Sequence, residues 1–247
     1  PGDPPGTYDN VWAKLVANVS LPNCYDQETP RNWANWYADH DEYMARVMKR
    51  AQPWIYFIAE ELETRGMPGE LALLPIVESA YDPFAYSSGR ALGTWQFIAS
   101  TGKHYGLQQD WWYDERRDVV ASTRAALDYL ERLQKGFNGD WLLTFAAYNA
   151  GGGTVRNAIK RNQKAGKPTD FWHLKLPKET SSYVPKLLAI SLVVKNPERY
   201  NVELPVIDSA PGFAIIETGT QLDLVVAADL AGMETDDFYR INPGFNR

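Results

Sequence analysis

Residues Pro75 to Phe97 read PIVESAYDPFAYSSGRALGTWQF. The run that leads into them, Leu71 to Val77, is apolar and of the kind that fills a core. Glu78 follows Val77 directly, and no Lys or Arg stands beside it to neutralise its charge. Small residues, glycines and aromatics come next. A free Glu, with a pKa of about 4.3, is ionised at neutral pH. An apolar setting without a counter-ion disfavours the charged form and raises the pKa, which suits a carboxyl group that must donate a proton.

Working outward, the sequence is helical on both sides. RNWANWYADHDEYMARVMKRAQPWIYFIAEELETRG reads as two helices with Pro53 near their junction, because Trp33, Trp36, Tyr37, Tyr43, Val47, Ile55, Ile58 and Leu62 recur at three- and four-residue steps. Gly66 and Pro68 stop the second of these. Glu70 to Glu78 forms a third, short helix kinked at Pro75. Downstream, Thr94 to Tyr105 can be helical. Asp118 is placed to cap a long helix to Phe137 with Ala126, Leu127, Leu130 and Leu133 facing inward. Asp140 caps WLLTFAAYNAG, which Gly151 closes. Val155–Gln163 and Val184–Val194 complete the set, and there is almost no strand alternation before residue 200. Pro197, Pro205 and Pro211 then break up a linker, beyond which FAIIETGTQLDLVVAADLAGMETDDFYRINPGFNR reads strand, turn, helix, turn, helix. The expected class is mainly α with a small C-terminal α+β unit. The expected divisions are an N-terminal helical segment 1–67, a catalytic domain 68–200, a linker 201–212 and the C-terminal unit 213–247, apparently incomplete.

Composition narrows the function. The chain has 247 residues, 45% of them hydrophobic, enough for one sizeable core with a small second module. The net charge is −6 and no Lys/Arg-rich run stands out, which argues against nucleic acid as a partner. Nine Trp and fourteen Tyr are a heavy aromatic load, chiefly core, but any left in a cleft would suit sugar rings. Cys24 is the single cysteine, so no internal disulfide can form. Its setting, LPNC, is similar to a bacterial lipid-attachment site, but the polar and charged residues before it do not make an export segment, and that reading is rejected. No segment approaches the ~20 apolar residues of a membrane span, so a membrane anchor, if any, lies outside this chain. His40, His104 and His173 follow no ligand spacing, and neither a metal nor a phosphate-binding cofactor is expected.

Three patches place polar groups beside small residues on apolar helices, as a binding cleft requires: Glu78-Ser79 with Gly93-Thr94-Trp95-Gln96, Ala146 to Gly153, and Lys178 to Val184. Taken singly, each reads as an ordinary helix end. Together, Glu78-Ser79, Gly93-Thr94-Trp95-Gln96, Ala147-Tyr148-Asn149-Ala150-Gly151 and Glu179-Thr180 with Tyr183-Val184 resemble the family 1 lytic transglycosylase domain over about residues 68 to 197. Thr94-Trp95 stands where the family has Leu-Met, and with the N-terminal helices this looks closest to the membrane-bound D branch. Phe213, Gly219-Thr220-Gln221-Leu222, Ala227-Ala228, Gly232 and Asn242-Pro243-Gly244 resemble a LysM module lacking its second strand.

The resemblance implies a lysozyme-like helical fold and no cofactor. It implies peptidoglycan glycan strands as the partner, and a periplasmic or outer-membrane-associated place in a Gram-negative envelope. Partner proteins are left open. It makes Glu78 the acid and then the base, with Ser79 and Gln96 binding sugar or N-acetyl groups. Tyr148 would help place Glu78, Asn149 would shape the same wall, and Glu179 and Tyr183 would line the cleft. Trp95 and Ser88 join the set of sugar contacts. Asp82, before Pro83, reads instead as a turn residue. The competing readings are a goose-type lysozyme-like hydrolase, in which water attacks, a catalytically idle wall-binding protein, and a helical scaffold for partner proteins.

Overall fold

The computed structural model describes residues 8–21 and 26–246. Cys24 and the first seven residues lie outside that range, and with them the expectations placed on the lipid-attachment motif and the N-terminus. Twelve α-helices and one two-stranded antiparallel hairpin make up the regular structure of the described residues, together with three short 3₁₀ turns. No helix among them is long and apolar enough to cross a membrane.

The first four helices are α1 (Val11–Ala17), α2 (Glu28–Ala38), α3 (Asp41–Ala51) and α4 (Ile55–Thr64). The expected helix pair before Gly66 is therefore three helices. The extra break falls at Asp39–His40, where the His40 ring stacks on Trp36 with centroids 4.0 Å apart and its Nδ1 meets the Trp36 carbonyl at 2.6 Å. A 3₁₀ turn, Gly69–Leu73, runs into α5 (Leu74–Ser79). Pro75 stands in the first turn of α5, where a missing N–H costs nothing, rather than kinking a longer helix.

The hairpin comprises β1 (Ala91–Leu92) and β2 (Phe97–Ile98). It replaces the first turn of the helix expected from Thr94, and α6 is correspondingly short (Ala99–His104). The helices α7 (Val119–Gly136) and α8 (Trp141–Ala150) start where their caps predicted. Asp118 accepts from the Ala121 N–H at 2.8 Å, and Asp140 accepts from the Leu143 N–H at 3.0 Å. Then come α9 (Gly152–Lys164) and α10 (Lys178–Lys195). α10 is the axis of the molecule: it packs against both α2 and α8, and Val184, Leu187, Ala189, Ile190 and Val193 are fully buried.

The α+β unit expected over 213–247 is not there. All regular structure after residue 172 is helical, ending in α11 (Leu224–Leu230) and α12 (Thr235–Ile241), and the only sheet among the described residues lies within 91–98. A strand needs an edge to satisfy its backbone. The apolar run at 213–216 finds none. Phe213 packs on Trp54 and Phe57, with centroids 5.3 and 5.7 Å away, while Ile215 and Ile216 stay exposed. The Asn-Pro-Gly that suggested a LysM ending serves another purpose. Gly244 accepts from the Asp114 N–H at 2.8 Å, and the Asn246 N–H donates to Trp112 at 2.8 Å, so the tail docks on the loop before α7. The linker docks as well: Val11 N–H donates to Ile207 at 2.9 Å and the Trp12 indole to Pro205 at 2.8 Å.

Candidate active site

Glu78 sits in the last turn of α5, and the chain then reverses abruptly. Ala80 and Tyr81 both take left-handed backbone angles, φ 53° and 57°, which cost a residue with a side chain energy. The turn is held by Tyr81 N–H donating to Pro75 at 3.1 Å and by the buried Tyr81 hydroxyl donating to Ala72 at 2.6 Å. Glu78 thereby stands at the end of a short helix whose exit turn is held by two hydrogen bonds. Part of the residue opens to solvent, but protein crowds the carboxyl. Burial pushes its pKa up to about 8, a hydrogen bond from the Tyr183 hydroxyl to Oε1 pulls it back, and the like charge of Glu179 pushes it further up. No cation figures among these influences.

Three of the sequence candidates converge on one backbone segment, the loop Gly93–Gln96 between the two strands. The Ser79 hydroxyl donates to the Thr94 carbonyl at 2.9 Å. The Tyr148 hydroxyl, from α8, donates to the Trp95 carbonyl at 2.8 Å. Gln96, itself left-handed at φ 51°, donates its side-chain amide to Gly93 and Ala85 at 2.9 and 3.0 Å. Gly93 makes this approach possible: a Cβ there would lie 1.8 Å from the Arg116 carbonyl oxygen. The loop is thus clamped between α5 and α8. Trp95 is fully buried, with its indole N–H donated to Thr123 at 2.9 Å, and so presents no side-chain surface to a ligand. Ser88 lies exposed in the turn before β1.

A second tie joins α8 to α10. Thr180 donates to Asn149 Oδ1 at 2.7 Å, and Asn149 Nδ2 reaches Glu179 at 3.4 Å. One turn further along α10, Tyr183 is buried with its hydroxyl on Glu78. Burial and the neighbouring Glu78 hold both Tyr183 and Tyr148 well above the ordinary tyrosine range, so both stay protonated donors. Asp82 is engaged elsewhere, accepting from the Phe84 N–H at 2.9 Å and pairing with Arg50 at 3.1 Å, as its turn context suggested.

Sequence reasoning passed over Thr123 and Tyr129, and gave Thr180 a place in a motif but no role. The Tyr129 ring lies between those of Tyr148 and Tyr105, with centroids 5.2 and 5.0 Å away, and makes an aromatic row running from the Glu78 neighbourhood. Among the described residues, no three His, Cys, Asp or Glu side chains group to hold a metal ion.

Residues 55–171 match the family described as Transglycosylase SLT domain. The chain is 50% identical over 235 residues to Membrane-bound lytic murein transglycosylase D of Escherichia coli (strain K12), covering 95% of this chain and 52% of that protein. It is 38% identical over 181 residues to a candidate tributyltin chloride resistance protein of Alteromonas sp. (strain M-1), covering 72% of this chain and 86% of that protein. The chain belongs to the transglycosylase SLT family. It spans about half the length of the Escherichia coli relative. A solved lytic transglycosylase Slt from Pseudomonas aeruginosa, an inactive mutant, matches 60% of this chain and 25% of its own at 24% identity and a TM-score of 0.43, too distant to bear on the site. The SLT match contains Glu78, Gln96, Tyr148 and Asn149 but stops short of α10. The residue that touches Glu78 directly, Tyr183, therefore lies outside the matched segment.

Proposed function

We propose that this SLT chain is a peptidoglycan lytic transglycosylase in which Glu78 alone moves the proton. The supporting observation is the state of its carboxyl: withdrawn from water, without a cation, and pushed up to about 8, so that it is largely protonated at neutral pH. With Oε1 held by Tyr183, Oε2 is the oxygen that carries the proton. It is passed to the oxygen linking N-acetylmuramic acid to N-acetylglucosamine, and the C1–O bond breaks. The 2-acetamido carbonyl of the substrate supports the developing cation, as in substrate-assisted glycosidases. Glu78, now a carboxylate, takes the proton of the muramoyl C6 hydroxyl. That oxygen attacks C1 and closes a 1,6-anhydro ring. Glu78 ends protonated as it began, and no water is consumed.

The other carboxylates support a single-acid reading. Asp82 is tied to Arg50, and Glu179 is exposed and bonded to Asn149. Ser79, Gln96 and Tyr148 act on this reading by fixing the Gly93–Gln96 loop against Glu78. Asn149 and Glu179 set the start of α10 and so the position of Tyr183. A place in the periplasm or at the outer membrane follows from the substrate. Glu78→Gln keeps size and shape but has no proton to give. It should bind glycan like the parent and lose roughly 10³-fold or more in turnover, since one group serves both steps. A variant that kept a tenth of the parent rate would point to another carboxylate.

A further inference from the structure

A cavity of about 990 Å³ has as one wall Tyr81–Phe84, the turn that leaves directly from the helix carrying Glu78. Its other walls come from the end of α3, from Arg117, and from α12 and the tail. Five cations line it, Arg46, Lys49, Arg50, Arg117 and Arg240, against one lining carboxylate, Asp82. This concentration stands out in a chain whose net charge is −6. Partners within the protein answer only some of that charge: Arg50 pairs with Asp82, and Arg240 pairs with Asp237 at 2.5 Å. Arg117 donates from one guanidinium nitrogen to the Gly244 carbonyl at 3.0 Å and to Asn246 Oδ1, both uncharged, and its buried Nε–H has no acceptor among the described residues. Between the cations lie apolar surfaces, Pro53, Trp54, Phe84 and Ile241, with the Arg117 guanidinium 6.0 Å from the centre of the Phe84 ring.

We infer that this cavity binds the carboxylate-bearing peptide attached to the glycan, and so selects peptide-substituted strands. The inference rests on the reading that peptidoglycan is the substrate. Three features favour a peptide over a phosphate or a lipid headgroup. The volume is at the upper end of ligand pockets, about 300–1,000 Å³, and far exceeds what a single phosphate fills. The cations are spread around the cavity rather than gathered at one point, which fits several carboxylates along a chain. The apolar patches between them suit short aliphatic side chains. The cavity is also assembled by the docked C-terminal segment, through Arg240, Ile241 and Phe245, which gives that segment a part in recognition.

The test compares peptidoglycan glycan carrying its peptides with the same glycan stripped by an amidase. Arg46 and Lys49 are exposed on α3, so Arg46→Gln/Lys49→Gln should fold, and a thermal melt checks that. The wild type should show a lower KM on the peptide-bearing glycan. The double variant should raise that KM roughly tenfold or more, with kcat held and the KM on stripped glycan moving less than about twofold. Arg46→Lys should restore part of the difference, since charge is retained. If the wild type released no anhydro-ended product from either glycan, the reading of the substrate would fail first. If it cleaved both and the double variant moved both KM values alike, or neither, the peptide site would be wrong. Unchanged discrimination with lost binding to anionic phospholipid vesicles would overturn it in favour of a membrane surface.

Discussion

Glu70 and Glu78 flank the same apolar stretch; Glu70 is buried, and Glu78 is part-exposed with its carboxyl crowded by protein. Their surroundings differ completely. Glu70 is 1% exposed and accepts from the Leu21 and Ser20 N–H groups at 3.0 and 3.1 Å, with Lys195 Nζ at 3.2 Å. It is a neutralised structural group. Glu78 has a tyrosine hydroxyl and a like charge for company. The folded-state pKa of about 8 lies above the ordinary 4.5, so folding holds a proton that the unfolded chain releases. The contribution of Glu78 to stability is therefore fully present below 4.5 and is lost as pH rises toward 8. Glu78→Gln removes this penalty. Its melting temperature should match the parent near pH 4 and exceed it clearly near pH 9. Glu70→Gln should instead lower the free energy of unfolding at neutral pH by about 1–3 kcal/mol, because Lys195 loses its partner. A Glu78→Gln variant less stable than the parent at both pH values would contradict the assignment. The sequence announced Glu78 through its motif and its lack of a neighbouring cation. It could not distinguish Glu70, since the lysine that neutralises it lies on another helix far along the chain.

At the scale of elements, the site is a loop clamped between two helices, with a third helix supplying the partner of the acid. Tyr183 on α10 donates to Glu78 and stabilises its carboxylate. Tyr183→Phe should therefore raise the pKa of Glu78 further and shift the alkaline limb of the kcat/KM profile above its wild-type position near 8. A limb that moved down, or did not move, would remove Tyr183 from the proton's environment. Gly93→Ala places a Cβ 1.8 Å from a backbone oxygen at positive φ, and should cost roughly 2–4 kcal/mol in denaturant unfolding. The ends of α7 and α8 were legible because Asp118, Asp140 and Gly151 act on atoms within a few residues. The role of Ser79, Gln96 and Tyr148 was not. A polar side chain on an apolar helix can meet a ligand or a distant carbonyl with equal ease, and only the fold shows that carbonyls of Gly93, Thr94 and Trp95 take these donors. Trp95 was read as a sugar contact from its place in a motif, but its indole fills the core.

At the scale of the whole molecule, the segments flanking the SLT match are fastened to it and to one another. Ile207 pairs with α1, Phe213 packs on α4, and residues 244–246 lie on the loop that precedes α7. Periodicity and turn residues showed α11 and α12, but the strand expected at 213–216 needed an edge that the fold does not offer. Gly244 is the sensitive point, since an added Cβ would lie 2.6 Å from the Tyr113 ring, whose hydroxyl is held by Asp118. Gly244→Ala should unseat the tail and lower the melting temperature by roughly 2–6 °C, readable by circular dichroism. These attachments shape the walls around the loop that leaves Glu78, but the central claim concerns what Glu78 does to the bond. The most direct measurement is the mass of the product released from purified peptidoglycan in ¹⁸O-labelled water. Ring closure by the C6 hydroxyl predicts a 1,6-anhydro end, lighter by one water than the hydrolysis product and free of label. A reducing end carrying the label would mean that water attacks C1, and the single-acid ring-closure account would be wrong.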